Sequence, residues 1–190
     1  GGTVHKGFLD AHDRIWKNSL EEVIRELDPT RRAVWLTGHS LGGALATLSM
    51  DRIPAARGLY TIGSPRVGDR RFATLFDRRH AGRCFRYVNH RDVITRMPPV
   101  LTFTGSYKHV SERKYIDAQG SISMVSPSMT DMLWLPWTRS RALRAIGDLA
   151  IPAVVLPDAL VDHTPRRYAV HIWNDYLEHH PSESGVVASR

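Results

Sequence analysis

The sequence has almost no cysteine and no long apolar run, and each absence narrows what the protein can be. Cys84 is the only cysteine among 190 residues, so an intrachain disulfide is excluded. No uncharged apolar run reaches about 18 residues, so we expect a soluble or membrane-peripheral protein without a transmembrane helix. No histidine or cysteine cluster has metal-ligand spacing, and we expect no metal and no cofactor.

The N-terminus carries no recognisable signal peptide. The chain begins at Gly1-Gly2-Thr3. A leader lost before Gly1 is one alternative, and the compartment therefore stays open at this point.

The composition is that of a globular domain with an excess of positive charge. Apolar residues make up 42% and charged residues 24%, and the net charge is +7. Nine arginines lie between Arg66 and Arg96. They form either solvated faces with scattered ion pairs or a surface that attracts anionic lipid. No motif of a nucleic-acid-binding module accompanies them, so we expect no nucleic-acid partner.

Short apolar runs alternate with helical patterns along most of the chain. The runs at residues 33–37, 58–62 and 84–88 predict buried strands. Helices are predicted at 8–27, 42–50 and 69–80, and after Thr164-Pro165. Residues 107–110 and 114–116 suggest a small hairpin. This alternation predicts an α/β fold with a mostly parallel sheet and helices on both faces.

One motif at the end of the first strand points to nucleophilic catalysis. Residues Gly38-His39-Ser40-Leu41-Gly42 read G-x-S-x-G, between a predicted strand and a predicted helix. The motif also occurs by chance in an ordinary turn, but this strand-turn-helix setting is the one that a nucleophilic serine requires. We expect glycines at 38 and 42 to avoid a collision across the bend. The Leu41 N–H, at the helix start, would then face a developing oxyanion.

A nucleophilic serine needs a base and an acid that orients the base. In this type of sheet the order along the chain is serine, acid, histidine. Asp92 follows the third strand and is the predicted acid, and the alternative is a loop aspartate paired with Arg91 or Arg96. His163 lies in a loop before the final helix and is the predicted base, with His109 on the hairpin as the reserve.

Further motifs follow in one order along the chain. They are Val4-His5-Lys6-Gly7-Phe8, Gly38-His39-Ser40-Leu41-Gly42-Gly43, Gly63-Ser64-Pro65-Arg66-Val67-Gly68, Asn89-His90-Arg91-Asp92, Arg96-Met97-Pro98 and Asp162-His163 followed by Tyr168. In this the chain resembles the class 3 lipases, which are fungal-lipase-like α/β-hydrolases. The resemblance implies Ser40 as nucleophile, Asp92 as acid and His163 as base.

Two departures accompany the resemblance. Ser111 stands where the family's Tyr-x-His-x-Gly hairpin has glycine. The family's strand carrying Phe-Arg-Gly-Thr, which supplies one oxyanion donor, has no counterpart ahead of the Val4 motif. We therefore expect residues 1–190 to form a single α/β-hydrolase domain, the C-terminal part of a larger one, that lacks N-terminal strands. Residues 34–36 are then expected at an open sheet edge.

Two functions from different classes follow. The first is a serine hydrolase that cleaves carboxylic esters of lipids, acylglycerol or phospholipid, through an acyl-enzyme. The second is a catalytically weak or inactive lipid-surface binding protein on a hydrolase scaffold.

An apolar and aromatic insertion is expected at about residues 120–160. It contains Met124, Met129, Met132, Trp134 and Trp137, and arginines follow at 139, 141 and 144. The segment is either additional core or a covering pair of helices, or it is an interfacial element at residues 121–156 that contacts lipid. Tryptophan and methionine with flanking arginine suit an anionic membrane surface.

Overall fold

The computed structural model describes residues 1–102, 105–124 and 158–181. The helices are α1 (Lys6–Ile15), α2 (Glu21–Leu27), α3 (Leu41–Arg52), α4 (Arg70–Arg79), α5 (Asp158–Val161) and α6 (Pro165–His179). The strands are β1 (Trp35–His39), β2 (Gly58–Ile62), β3 (Gly68–Asp69), β4 (Cys84–Asn89), β5 (Leu101–Thr102), β6 (Gly105–Lys108), β7 (Glu112–Ile116) and β8 (Ile122–Ser123). Within these ranges, no helix combines the length and apolarity needed to cross a bilayer.

The main sheet has five strands in the order β1-β2-β4-β7-β8. The first four are parallel to one another, and β8 pairs antiparallel with β7. The prediction of a mostly parallel α/β sheet is therefore confirmed. A separate antiparallel sheet is formed by β3, β6 and β5 in that order.

The two faces of the main sheet are covered by different helices. Leu59 and Cys84 point to one face, where they join a buried core with Met50 of α3 and Phe76 of α4. Alternate residues of a strand point to opposite faces. On the other face, α6 lies over the carboxyl ends of β1 and β2, and the side chains there form an apolar groove lined by His39, Ile62, Pro165, Tyr168, Ala169, Ile172, Trp173 and Tyr176.

Strand β1 is an edge strand in the part of the chain that the structure describes. It pairs with β2 on one side, and no described strand pairs with its other side. Trp35 is 58% exposed there and contacts Tyr60 of the neighbouring strand. Val4 forms its bridge with Gly68 rather than with β1. The expectation that residues 34–36 lie at an open edge agrees with this arrangement.

One prediction of local structure is wrong. The predicted hairpin at 107–116 does not form, because β6 pairs antiparallel with β3 and β5 whereas β7 pairs parallel with β4. The turn between them has Ser111 at φ 70°, so serine adopts the left-handed conformation that glycine favours. The helix predicted over 8–27 does form, and its middle turn at Trp16–Leu20 is π-helical.

The predicted insertion at 120–160 is described only at its two ends. Strand β8 belongs to it, and Met124 is 56% exposed beside the Lys114 ammonium group. Its two tryptophans and its other two methionines lie outside the described residues.

Candidate active site

Ser40 occupies a sharp bend between β1 and α3. Its backbone has φ 55° and ψ −126°, a conformation that is strained for a residue with a side chain. The Ser40 N–H donates to the Ile62 carbonyl at 2.9 Å, which anchors the bend to the end of β2. Leu41 begins α3, so its N–H lies in the first turn, where a helix offers no acceptor of its own. The bend therefore places the Ser40 hydroxyl beside the N-terminus of α3, where the first N–H groups have no acceptor within the helix.

Only one of the two glycines in the motif is required by close packing. A Cβ added at Gly38 would lie 2.2 Å from the Gly42 carbonyl oxygen. A Cβ added at Gly42 meets no atom within 4 Å. The expectation that a side chain at 42 collides across the bend is therefore wrong. The neighbour that does need its glycine is Gly43, where a Cβ would lie 2.8 Å from that of Ser64.

We expect Gly38→Ala and Gly42→Ala to have opposite effects on stability. Alanine at 38 must push apart the backbone of the bend, so Gly38→Ala should unfold at lower urea concentration and lose the Ser40 geometry. Alanine at 42 replaces a helical glycine in open space and should raise the free energy of unfolding by up to about 1 kcal/mol. Urea titration followed by tryptophan fluorescence compares the two variants. Equal destabilisation by both would contradict this account.

His163 links Ser40 to Asp92 through its two ring nitrogens. Its Nε2 lies 2.8 Å from Ser40 Oγ, and its Nδ1 lies 2.9 Å from Asp92 Oδ2 and 3.0 Å from Oδ1. The His163 side chain is 16% exposed and that of Asp92 is fully buried. The acidic side chain also accepts the Ile94 N–H at 2.9 Å. The three predicted residues thus converge at the carboxyl ends of β1 and β4.

Gly63 allows the acid and the histidine to approach the end of β2. Its φ is +59°, and an added Cβ would lie 2.9 Å from Asp92 Oδ2 and 3.1 Å from His163 Nδ1. A side chain there would occupy the space in which these two groups meet.

His109, the alternative candidate for the base, is bonded to a different part of the chain. A ring nitrogen of His109 lies 2.6 Å from the Thr95 carbonyl oxygen. Burial, together with nearby arginines, lowers the pKa of His109 well below its ordinary value, so the ring is neutral. Asp162, next to His163 in sequence, accepts the Arg91 N–H at 3.2 Å. The Asp92 carboxylate contacts His163, the Ile94 N–H and the Tyr168 hydroxyl, which fits an orienting acid.

Tyr168 is part of the site, although the sequence analysis named it only as the tyrosine that follows Asp162-His163 in a family motif. Its hydroxyl donates to Asp92 Oδ2 at 2.6 Å and accepts the Asn89 N–H at 2.9 Å. Burial, and then the neighbouring carboxylate, raise the pKa of Tyr168, so it stays protonated as a donor. The Asn89 side chain also donates to the Asp162 carbonyl at 3.0 Å. These contacts tie β4, α6 and the His163 loop together.

We expect Tyr168→Phe to lower the free energy of unfolding by about 1–3 kcal/mol, because the buried Asn89 N–H and the Asp92 carboxylate each lose a partner. The matched control is Tyr60→Phe, since the Tyr60 ring stacks on Phe85 and its hydroxyl makes no hydrogen bond with the described residues. Urea denaturation measures both. A Tyr168 variant as stable as the Tyr60 variant would show that this hydrogen-bond chain contributes nothing.

Comparison with known proteins shows that this chain is similar to lipases. The profile of the family described as Lipase (class 3) matches residues 1–102. A secreted mono- and diacylglycerol lipase of Fusarium solani is 38% identical over 124 residues, which cover 62% of this chain and 35% of that protein. A lipase of Rhizomucor miehei is 35% identical over 127 residues, which cover 61% of this chain and 33% of that protein.

This chain is also similar to a solved structure. It is a triacylglycerol lipase described as having a serine protease triad as its catalytic centre. It superposes with a TM-score of 0.56 at 28% identity, over 72% of this chain and 56% of that one. The α/β-hydrolase fold predicted from the sequence is thereby confirmed.

The chain spans about a third of the length of the curated relatives it matches. The family profile nevertheless covers more than half of this chain, from the Val4 motif through the nucleophile bend to the segment after Asp92. This chain belongs to the class 3 lipase family.

Proposed function

We propose that the protein is a serine hydrolase that cleaves carboxylic esters of lipids through an acyl-enzyme. The observation that carries this proposal is the unbroken hydrogen-bond chain from Ser40 Oγ through His163 to the buried Asp92. It has the arrangement of nucleophile, base and orienting acid that acyl transfer requires. The insertion at about 120–160 belongs, in this proposal, to the same hydrolase domain.

In the first half-reaction, Ser40 Oγ attacks the ester carbonyl carbon while His163 Nε2 accepts the hydroxyl proton. Asp92 accepts the Nδ1–H of the ring, which selects the tautomer and stabilises the imidazolium that forms. The Leu41 N–H donates to the oxyanion of the tetrahedral intermediate. His163 then returns the proton to the departing alcohol oxygen, the ester bond breaks, and the acyl group remains on Ser40.

In the second half-reaction, water replaces the alcohol. His163 Nε2 takes a proton from the water as its oxygen attacks the acyl carbon, and the same proton returns to Ser40 Oγ when the fatty acid leaves. Every proton is therefore exchanged through one ring nitrogen, and no metal or redox step is involved.

Acylglycerols are the substrate class that we favour, because the named relatives are lipases that act on mono-, di- or triacylglycerol. Phospholipid is the second candidate within the same chemistry, since a phospholipase A(1) of Arabidopsis thaliana is 34% identical over 116 residues. Parallel assays with emulsified diacylglycerol and with phosphatidylcholine vesicles, read as fatty acid released, distinguish the two.

The rival function is lipid-surface binding without turnover. The test is hydrolysis of a short p-nitrophenyl ester by the protein, together with labelling by a p-nitrophenyl alkylphosphonate, which reacts with activated serines. We expect turnover and a single adduct on the peptide that contains Ser40. Binding to vesicles with neither turnover nor adduct would support the rival and reject the hydrolase.

Lipid contact is proposed for residues 121–156 on sequence grounds. We expect Trp134→Ser combined with Trp137→Ser to reduce co-sedimentation with anionic vesicles, because these side chains would no longer insert at the interface. Trp173→Ser is the control, since Trp173 is also partly exposed but lies on α6. Undiminished binding by a folded double variant would reject an interfacial role for this segment.

A further inference from the structure

The residue before the nucleophile also contacts the predicted base. His39 is the last residue of β1, and its Nε2 lies 2.7 Å from the backbone carbonyl oxygen of His163. A carbonyl oxygen only accepts, so His39 Nε2 carries the hydrogen. The two imidazole rings lie against each other, with centroids 4.6 Å apart and planes tilted by 35°. The His39 and Tyr168 rings are inclined by 70° to each other, with centroids 6.1 Å apart.

We propose that His39 is a positioning residue that holds His163 at its working distance from Ser40. This inference rests on the proposed hydrolase function and adds a role for a side chain outside the Ser40, Asp92 and His163 set. His39 touches neither the reacting hydroxyl nor the acid, and it acts on the backbone of the base.

The position of His39 in the chain explains why this contact is effective. Asp92 holds the His163 ring from the β4 side, but Ser40 directly follows β1 and is 123 residues away in sequence from the base. His39 and Ser40 are consecutive, so the bond from His39 fastens the His163 loop to the same strand end that carries the nucleophile. A displacement of that loop relative to β1 would lengthen both contacts together. Misplacement by about 1 Å is enough to cost on the order of 100-fold in rate.

The charge of His39 matters as well as its shape. Burial is the main reason why the pKa of His39 lies below its ordinary value; its bond to the His163 carbonyl and the charge of Asp92 act in the opposite direction. At neutral pH the His39 ring is therefore uncharged. A cation stacked on His163 would oppose the positive charge that His163 acquires during proton transfer. A neutral N–H donor bonds to the His163 carbonyl and places no positive charge beside the His163 ring.

Three substitutions separate the hydrogen bond from ring packing. In His39→Gln the side-chain amide reaches the place of Nε2 and keeps a neutral donor, whereas in His39→Asn the amide ends near the place of Nδ1 and falls short. His39→Phe keeps the stacked ring without the donor. We expect kcat for the p-nitrophenyl ester to fall by about 100-fold in the Asn and Phe variants with little change in KM. The Gln variant should recover most of the loss.

The relative kcat values of the three variants test whether the His39 hydrogen bond positions His163. If all three retain wild-type kcat, or if Gln is as impaired as Asn, His39 does not position the base through this bond. Wild-type turnover and phosphonate labelling of Ser40 test the hydrolase proposal separately.

A readout independent of turnover is the downfield proton resonance of His163 Nδ1–H bonded to Asp92. Positioning by His39 predicts a sharp resonance in wild type and Gln, and exchange broadening in Asn and Phe. An equally sharp resonance in all four proteins would overturn the inference, whether or not the wild-type protein is active.

Discussion

Ser40→Ala is expected to lower kcat for a p-nitrophenyl ester by about 10⁶-fold. The side chain at this position is the only hydroxyl within hydrogen-bond distance of His163 Nε2 among the described residues. Without it no acyl-enzyme forms, and the remaining rate enhancement comes from substrate binding and the Leu41 N–H alone. The fold should be unaffected, because the hydroxyl makes no other hydrogen bond with described residues.

The control for this variant is Ser19→Ala, which removes an exposed hydroxyl from the turn between α1 and α2. It should match the wild-type rate. Phosphonate labelling should disappear from Ser40→Ala and persist in Ser19→Ala. Full activity in Ser40→Ala, with the Ser19 variant also active, would end the proposed mechanism.

Asp92→Asn should have the second largest effect, a loss of about 10⁴-fold in kcat. Asparagine has nearly the shape of aspartate, but its amide N–H₂ can face His163 Nδ1 as a donor. The ring would then accept at Nδ1 and carry its proton on Nε2, where it has to accept the proton of Ser40. The geometry survives while the tautomer is wrong.

Asp162→Asn is the matched control, since it makes the same chemical change at the residue adjacent to His163. The Asp162 side chain accepts a backbone N–H from Arg91, and an asparagine oxygen accepts it equally well. A rate profile against pH, measured for both variants with the same ester, compares them. An Asp92 variant no slower than the Asp162 variant would show that the acid does not orient the base.

Several features of this site were predictable because their causes are local. The bend at Ser40 needs a strand before it, a helix after it and a glycine at 38, and all three are visible within about fifteen residues of sequence. Asp92 could be picked out for a similar reason, since it directly follows an apolar run that predicts a strand. Parallel strands end at the same edge of a sheet, which brings these two groups near each other.

Other features depend on contacts between distant segments, and sequence patterns do not determine those. Residues 107–116 look like a hairpin, but β6 and β7 find their partners in different sheets, because strand pairing is decided by the neighbours available in space. The prediction that a side chain at Gly42 would collide across the bend was also wrong. The place of a glycine in the motif does not show which atoms surround it, and no atom lies within 4 Å of a Cβ added there.

The sequence by itself determined the nucleophile bend, the parallel α/β architecture and the family, because these follow from short-range geometry and from motifs in a fixed order. Only the tertiary structure decided which side chains support the acid and the base. Tyr168 lies 76 residues from Asp92 and His39 lies 124 from the His163 carbonyl it contacts. Hydrogen bonds of this kind form only after the sheet and α6 have packed, because no local pattern encodes which buried donor meets which buried acceptor.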